Sequence, residues 1–257
     1  MRAAIIWGLI QGLSEFLPIS SSGHLVLVPA FLSQFGLETP EPSLGVSAVL
    51  HLGTLVAVLI YFRTDLLKIL RFRHDQEARH LLLLLVVGTI PAGIGFFVRD
   101  VVADLQESVT AVSIALLGTT VILLLGQRFA TRARQLEDGT LTDAFIVGLA
   151  QAFALIPGIS RSGTTIAAGN GRGFEPAQAA RYSFLLGIPA IAAAGLLEGM
   201  ELLDSGGLGI ELLVGAVVAG VSGYAAISFL LAVIRRTGLV PFAVYTAIVG
   251  LAGLILL

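Results

Sequence analysis

Cysteine is absent from this sequence of 257 residues, and charged residues make up only 12% of it. Without cysteine there is no disulfide, no thiol nucleophile and no zinc thiolate site. The charged fraction is well below the roughly 25% that is usual in soluble domains. In contrast, 56% of the residues are hydrophobic and the mean hydropathy is +0.95. The composition therefore predicts a polytopic membrane protein.

An excess of basic charge is also missing, because 15 Lys and Arg stand against 17 Asp and Glu for a net charge of −2. No basic field of the kind that attracts polyanions is predicted, so we expect no nucleic-acid partner. A secretory cleavage site is missing too, since the first apolar segment leads into Glu15 and a serine-rich run. We therefore expect the N-terminus to be mature.

The first apolar segment is too short to cross a membrane. Residues 4–16 fall short of the roughly 20 residues that a span needs, and Leu17-Pro18 and a Ser-Gly run end it. A second short apolar segment, residues 25–35, follows that run. Helix, loop and helix together predict a re-entrant hairpin, whose irregular backbone must be enclosed by protein or by a wet cavity.

Longer apolar segments follow a linker at residues 38–42, and the same order then repeats. The first half predicts spans at residues 44–62, 81–98 and 109–125. The second half predicts a hairpin at 141–168, broken at Pro157-Gly158, and then spans at 182–197, 210–234 and 241–257. We therefore expect an all-α polytopic fold in one membrane domain with two repeats, residues 1–126 and 140–257. Each repeat has one re-entrant helical hairpin and three transmembrane helices.

The repeats also share sequence at a constant offset of 140 residues. Gly8-Leu-Ile-Gln11 matches Gly148-Leu-Ala-Gln151, and Ser20-Ser-Ser-Gly23 matches Ser160-Arg-Ser-Gly163. An odd number of crossings makes the second copy enter the membrane from the opposite side. The two repeats should therefore have inverted topology.

Basic and acidic residues fall into loops on opposite faces of this topology, which sets the orientation. One face collects Arg63, Lys68, Arg71, Arg73, Arg79, Arg128, Arg132, Arg134, Arg172, Arg181, Arg235 and Arg236. The other collects Glu38, Glu41, Asp100, Asp104, Glu107, Glu198, Glu201 and Asp204, with Arg2 and Arg99. We expect the basic face to be cytoplasmic in the cell membrane, with both termini outside and the active site open to the exterior.

Gln11 and Glu15 are four residues apart, so they share one face of the first helix. A carboxylate and an amide can hold a hydrated divalent cation, Mg²⁺ or Ca²⁺, if substrate phosphates complete the coordination. The alternative is a Glu15 that only hydrogen-bonds the opposing hairpin. An ionisable group at membrane depth favours the functional interpretation.

The polar run after Pro18 supplies hydroxyls and backbone N–H groups at the start of the next helix, where an anion is favoured. These groups belong to Ser20, Ser21, Ser22 and Gly23. His24 suits proton transfer or nucleophilic attack, although a packed, capped histidine is the alternative. His51 lies in a span and could line the same cavity, but we expect it to make core hydrogen bonds.

Arg161 takes the position in the second repeat that Ser21 has in the first. A guanidinium at the midplane needs an anion, which is either Glu15 in a structural bridge or a phosphate held by two nitrogens. Ser160, Ser162 and Thr165 add donors beside it. Two such tips meeting at the midplane would form a phosphoryl-transfer site.

These motifs resemble a known family. Q-G-L-S-E-F-L-P-I-S-S-S-G-H resembles the (E/Q)xxxE motif and Ser-Gly-His extension of the bacitracin-resistance family of undecaprenyl-diphosphate phosphatases, and P-G-I-S-R-S-G resembles its second motif. The resemblance covers the whole chain. It implies an integral membrane enzyme that removes the terminal phosphate of a polyprenyl diphosphate, recycles the carrier for cell-wall peptidoglycan, confers bacitracin resistance and depends on a divalent ion.

Carried over by position, the resemblance implies a site of Gln11, Glu15, Ser21, His24 and Arg161. Its substrate contacts are Ser20, Ser22, Gly23, Ser160, Ser162, Gly163 and Thr165. Glutamine at position 11 is a permitted variant that leaves metal binding mainly to Glu15. A homodimer is compatible with the sequence.

Other activities remain open at this point. Inverted repeats with broken helices are also typical of secondary transporters, so a transporter or flippase of polyprenyl phosphate is the first alternative. A phosphatidate-type phosphatase is disfavoured, because there is no Lys-rich first motif and no His six residues after an Arg. The nucleophile is Ser21 activated by His24, which we favour, or His24 itself, or a water.

Overall fold

The computed structural model describes residues 1–37, 44–130, 133–204 and 209–257, without the side chains at 44, 45, 96, 99 and 197–204. The linker predicted at 38–42 and Arg132 lie outside the described residues, as does the side chain of Glu201. In the described ranges the chain is all-helical apart from short turns and one isolated bridge. The helices are α1 (Arg2–Phe16), α2 (Ser21–Gln34), α3 (Leu44–Tyr61), α4 (Arg63–Ile69), α5 (Gln76–Thr89), α6 (Gly95–Gln106), α7 (Val109–Arg128), α8 (Leu141–Phe153), α9 (Arg161–Gly171), α10 (Pro176–Asp204), α11 (Ile210–Thr237) and α12 (Val240–Leu256).

The first predicted hairpin is formed by α1 and α2. Leu17 takes an extended backbone, as expected for a residue before proline, and α1 ends there. Ser20 caps α2 by accepting a hydrogen bond from the N–H of Gly23 (3.2 Å). This cap corrects the expectation that the Ser-Gly run is a loop, because residues 21–24 form the first turn of α2.

The second hairpin is formed by α8 and α9, with its break at residues 154–160, around the predicted Pro157-Gly158. Ser160 caps α9 in the same way that Ser20 caps α2, accepting from the N–H of Gly163 (3.1 Å). Both short helices are therefore started by a serine at the hairpin tip. The tips carry the motif residues that the sequence singled out.

By length and composition, four described segments can cross a membrane: Gln76–Ile94, Val109–Arg128, Pro176–Leu196 and Ile210–Thr237. The pair of α3 and α4, bent by 75°, is a fifth candidate. The span predicted at 81–98 ends at Ile94, because Pro91 lies in a 3-10 turn, Ile90–Ile94, after which α6 begins. With 17 residues, α12 is shorter than the roughly 20 of a typical span, and its crossing stays a prediction. The chain is a multi-pass membrane protein.

Helix contacts link the two halves of the chain. The first hairpin helix, α1, packs on α11, and its counterpart α8 packs on α5 and the following 3-10 turn. A Cβ added at Gly8 would lie 2.6 Å from the carbonyl oxygen of Gly215, and one added at Gly148 would lie 2.4 Å from that of Gly88. Such close approach drives helix association where lipid is as apolar as the side chains. The exchange of partners is what a two-fold repeat would produce, while the inverted topology and the repeat boundaries stay predictions.

Candidate active site

The tips of the two hairpins are joined by hydrogen bonds in both directions. Ser22 Oγ accepts from the N–H of Gly158 (3.3 Å), and Ser162 Oγ donates to the carbonyl of Leu17 (3.1 Å). Behind the second tip, Thr119 Oγ1 donates to the Gly158 carbonyl (2.9 Å). These bonds satisfy tip backbone groups that would otherwise lie unpaired in an apolar environment. They also bring the two motifs into one site.

Glu15 is the centre of this site, with only 8% of its surface exposed. Its Oε1 accepts from Arg161 Nη2 of the second hairpin (2.7 Å). Its Oε2 accepts from Ser21 Oγ (2.7 Å) and from Gln11 Nε2 (3.1 Å). Because removal of one partner leaves a buried charge unpaired, this cluster should be sensitive to single substitutions.

Ser21 follows directly after the one non-glycine residue with positive φ among the described residues, Ser20 (φ 71°). This conformation costs an L-residue of order 1–3 kcal/mol and persists only where its surroundings fix it. The carbonyl of Ser20 is fixed by a short contact to His24 Nδ1 (2.7 Å). Local strain is therefore located at the residue that sets the direction of Ser21.

Arg161 reaches Glu15 through a gap left by a glycine. A Cβ at Gly187 on α10 would lie 1.9 Å from Arg161 Nη1, so any larger residue there would displace the guanidinium. Among the described residues, the hydrogen bond that Nη1 makes is a long one, 3.4 Å to the carbonyl of Ser183. Thr165 supports the first turn of α9 by donating to the Arg161 carbonyl (2.8 Å).

His24 points away from Ser21. Its Nδ1 faces the Ser20 carbonyl, and its Nε2 lies 2.7 Å from the hydroxyl of Tyr245 on α12, whose ring stacks on the imidazole. Both ring nitrogens thus have partners other than the serine that we expected His24 to activate. A catalytic role for His24 stays a prediction, and the geometry is that of a residue that holds the tip in place.

A cavity of about 250 Å³ opens beside the cluster. Among the predicted site residues, those lining it are Glu15, Ser20, Ser21, Ser22, Ser160 and Arg161. Those not lining it are Gln11, Gly23, His24, Ser162, Gly163 and Thr165. Substrate contact by the second group stays a prediction, and the hydroxyls of Ser162 and Thr165 already bond the Leu17 and Arg161 carbonyls.

Some cavity residues were not predicted as site residues from the sequence. Ser47 and His51 line the cavity from α3, and Gln106 lines it from α6. The signal that could have found the first two is a serine and a histidine four residues apart within an apolar helix. They share a helix face, and that face is turned toward Glu15 and Arg161.

The residues around Glu15 fit a divalent cation only if substrate supplies ligands. Among the described residues no group of three or more His, Asp or Glu is close enough to hold a metal. Gln11 Oε1, however, is buried without a hydrogen-bond partner in the described part of the chain. One carboxylate, one amide oxygen and substrate phosphates form a set that Mg²⁺ or Ca²⁺ accepts.

The second hairpin has a charged anchor at its other end. Asp143, in the first turn of α8, is hydrogen-bonded by Arg134 (2.8 Å), Arg172 (2.6 Å) and Thr140 (2.8 Å). Burial alone would raise the pKa of Asp143, but these donors outweigh burial and hold its pKa well below the usual range. The carboxylate therefore stays ionised at neutral pH and fixes the start of α8 against α9.

The sequence of this chain is similar to those of known proteins over nearly its whole length. Residues 4–252 match the family model described as bacitracin resistance protein BacA. A protein of Thermomicrobium roseum named undecaprenyl-diphosphatase is 42% identical, covering 96% of this chain and 95% of that protein. Proteins with the same name from Halothermothrix orenii and Methanosphaera stadtmanae are 44% and 38% identical, with 98% and 99% of this chain covered.

Proposed function

The chain belongs to the family of bacitracin resistance protein BacA, and on that basis we propose how its joined hairpin tips cleave a lipid diphosphate. Its function is the hydrolysis of undecaprenyl diphosphate to undecaprenyl phosphate and inorganic phosphate. The reaction recycles the lipid carrier of peptidoglycan and confers bacitracin resistance. The observation that carries the proposed mechanism is the contact of Ser21 and Arg161 with the two oxygens of Glu15.

Ser21 is the proposed nucleophile and Glu15 the proposed base. Ser21 Oγ attacks the terminal phosphorus, and its proton moves to Glu15 Oε2, which already accepts that hydrogen bond (2.7 Å). The bond from phosphorus to the bridging oxygen breaks, and its electron pair leaves on the lipid phosphate. The proton then passes from Glu15 to the leaving lipid phosphate. Glu15 next activates a water that attacks the phosphoserine, and inorganic phosphate leaves as the proton returns to Ser21.

Arg161 is the proposed electrostatic partner of the transferred phosphoryl group. The planar guanidinium matches two phosphate oxygens at once, which a lysine ammonium cannot do. It enters from the hairpin opposite Ser21, so the phosphoryl group would lie between the two tips. Ser160 and Ser22 line the same cavity and are the proposed hydroxyl donors to the remaining oxygens. Charge on the equatorial oxygens would be stabilised without movement of the scaffold.

His24 is proposed to position Ser21 rather than to accept its proton. The imidazole bridges the Ser20 carbonyl and Tyr245, which ties the strained residue to α12. Replacing Tyr245 by Phe should then lower kcat a few-fold and leave KM unchanged. A change in the pH dependence of turnover in the same variant would indicate proton transfer by His24 instead.

A divalent cation is proposed at Glu15 and Gln11. When bound, it would add positive charge to the diphosphate and stabilise the leaving lipid phosphate. Binding of Mn²⁺, as a spectroscopic stand-in, should weaken in Gln11→Leu, because the buried amide oxygen is lost. Equal Mn²⁺ binding in Gln11→Leu and wild type would place the ion elsewhere.

The direct test of this function uses purified protein in detergent with a prenyl diphosphate. Release of phosphate should be abolished in Ser21→Ala and retained in Ser33→Ala, the same substitution at an exposed position of the same helix. Turnover in detergent separates hydrolysis from transport, because no membrane or gradient is present. Equal phosphate release by Ser21→Ala and Ser33→Ala would contradict the serine mechanism.

The active site is proposed to open to the exterior face of the cell membrane. Support comes from the basic residues of the loop around Arg71 and the acidic residues around Glu107. Since the chain has no cysteine, Glu107→Cys should react with an impermeant thiol reagent in intact cells, and Arg71→Cys should not. Labelling of Arg71→Cys but not of Glu107→Cys would show that the orientation is the opposite of the one proposed.

A homodimer stays a prediction, testable by the mass of the detergent-solubilised protein.

A further inference from the structure

A short helix, α4, leaves the end of the candidate span α3 at a steep angle. α3 has 18 residues, about 27 Å of helix, which nearly matches the roughly 30 Å of a bilayer's hydrocarbon core. The chain then bends by 75° into α4 and continues as a tight turn, in which the N–H groups of His74 and Asp75 donate to the Arg71 carbonyl (2.9 and 3.0 Å). With α3 crossing the membrane, this bend places α4 and the turn along the membrane surface.

The surface of α4 and the turn combines exposed apolar side chains with exposed arginines. Leu67 is 60% exposed and Leu70 is 73% exposed. Arg71 and Arg73 follow, both exposed, and the guanidinium of Arg73 lies 5.8 Å from the ring centroid of Phe72. We call these five residues, Leu67, Leu70, Arg71, Phe72 and Arg73, the α4 patch. Leucine and phenylalanine beside basic residues are typical of helices that lie in the membrane interface.

Ion pairs occupy most of the other basic side chains on the same face of the chain. The paired residues are Lys68 with Glu77, Arg134 and Arg172 with Asp143, Arg181 with Asp65 and Glu137, and Arg235 with Glu175. Asp75, next to the α4 patch, caps α5 by accepting from two N–H groups. Within the described ranges, neither Arg71 nor Arg73 has a carboxylate partner. The α4 patch therefore keeps two positive charges that the protein does not neutralise.

We propose that the α4 patch binds an anionic glycerophospholipid of the adjoining leaflet, with Arg71 and Arg73 on the headgroup phosphate and Leu67 and Leu70 against the acyl chains. Arginine suits a phosphate whose charge is not neutralised by a cation of the same headgroup. The exposed leucines favour a lipid over a soluble anion. The α4 patch shares no residue with the cavity at the hairpin tips, so this binding is independent of the proposed catalytic mechanism.

Native mass spectrometry of the delipidated full chain in neutral detergent tests this site. Phosphatidylglycerol is the probe, and zwitterionic phosphatidylcholine is titrated separately for comparison. The wild-type chain should bind the first phosphatidylglycerol more tightly than phosphatidylcholine. Arg71→Gln combined with Arg73→Gln should weaken that binding about 25-fold, which is about fivefold for each arginine. The matched control, Arg235→Gln with Arg236→Gln, removes two neighbouring exposed cations from the end of α11 and should weaken it less than about threefold.

Further variants separate a lipid site from general attraction between opposite charges. Lysine at both positions 71 and 73 keeps the charge and should recover most of the affinity, whereas Leu70→Ser keeps both arginines and should weaken binding several-fold. Equal losses in the two glutamine double variants would overturn the proposal, and so would equal affinity of the wild-type chain for the two lipids. A loss that lysine does not recover at all would also overturn it. Displacement of the lipid by an equal concentration of inorganic phosphate would indicate a site for a free anion instead.

Discussion

The two hairpin tips share one backbone design but carry different chemistry. Ser20 and Ser160 both cap the following helix through a glycine N–H three residues on. At the first tip the positive φ falls on Ser20 itself (71°), whereas Ser160 has φ −71° and the positive φ falls on Gly158 (94°). Glycine adopts that conformation without strain, but serine does not. The first tip is therefore strained beside Ser21, the proposed nucleophile, whereas the second tip supports Arg161 without backbone strain.

The helices that lead into the two tips, α1 and α8, also differ in their polar residues. Gln11 donates to Glu15 four residues later, while its counterpart Gln151 is followed by Leu155 at the matching position. Both amide atoms of Gln151 are buried without a hydrogen-bond partner among the described residues. The second hairpin thus has the amide but lacks the carboxylate. In the proposed mechanism the first hairpin therefore supplies the acid–base group, Glu15, and the second hairpin supplies the cation, Arg161.

The largest expected effect comes from removing that carboxylate. Glu15→Gln should lower kcat by about thousandfold, within the range of a general base, because it removes the base and leaves Arg161 without its anion. Leu155→Ala, the matching position of the second hairpin, should stay within tenfold of wild type. Steady-state phosphate release measures both. Similar losses at the two positions would mean that the tips do not differ in chemistry.

A smaller loss of kcat is expected when the guanidinium of Arg161 is replaced by an ammonium group. Arg161→Lys should lower kcat about hundredfold despite its unchanged charge, because one ammonium replaces a two-pronged contact. The control is Arg235→Lys, at an exposed position on α11. Near-wild-type turnover in Arg161→Lys would support the alternative that Arg161 only forms a structural ion pair with Glu15.

Helix packing should respond equally in the two repeats. Gly8→Ala and Gly148→Ala each place a Cβ within 2.6 Å of a facing carbonyl oxygen, and overpacking of this kind typically costs about 1–3 kcal/mol. Thermal unfolding in detergent should show a lowered Tm for both variants, and Gly171→Ala, which meets no atom within 4 Å, should not. A loss in only one variant would break the structural equivalence of the hairpins.

The smallest expected effects have opposite signs at the two caps. Ser20→Gly should relieve strain and leave stability unchanged or raised by up to about 1 kcal/mol, since Gly is nearly as good a cap as Ser. Ser160→Gly has no strain to relieve and should destabilise by a few tenths of a kcal/mol. Ser20→Gly should also lower kcat, because Ser21 loses its fixed orientation. Equal shifts in Tm would place no strain at Ser20.

Much of the fold and part of the candidate site could be predicted from local sequence. The short apolar segments, Pro18 and Pro157-Gly158 are sufficient to predict both hairpins, and the matching motifs indicate that Glu15 and Arg161 approach each other. The predicted start of α2 was wrong because a Ser-Gly sequence is compatible both with a loop and with a serine-capped first turn of a helix. The orientation of His24 and the exposure of His51 to the cavity depend on packing against α12 and α10. Contacts so distant in sequence leave no local pattern.

The central claim is that Ser21 at the strained tip receives the phosphoryl group. The most direct measurement is to quench turnover of a prenyl diphosphate labelled in its terminal phosphate and to identify the labelled residue. The account predicts an acid-stable phosphoserine at position 21, which disappears in Ser21→Ala and persists in Tyr245→Phe. An acid-labile, base-stable adduct at His24 would contradict it, and incorporation of solvent ¹⁸O into phosphate with no adduct in any quench would point to direct attack by water.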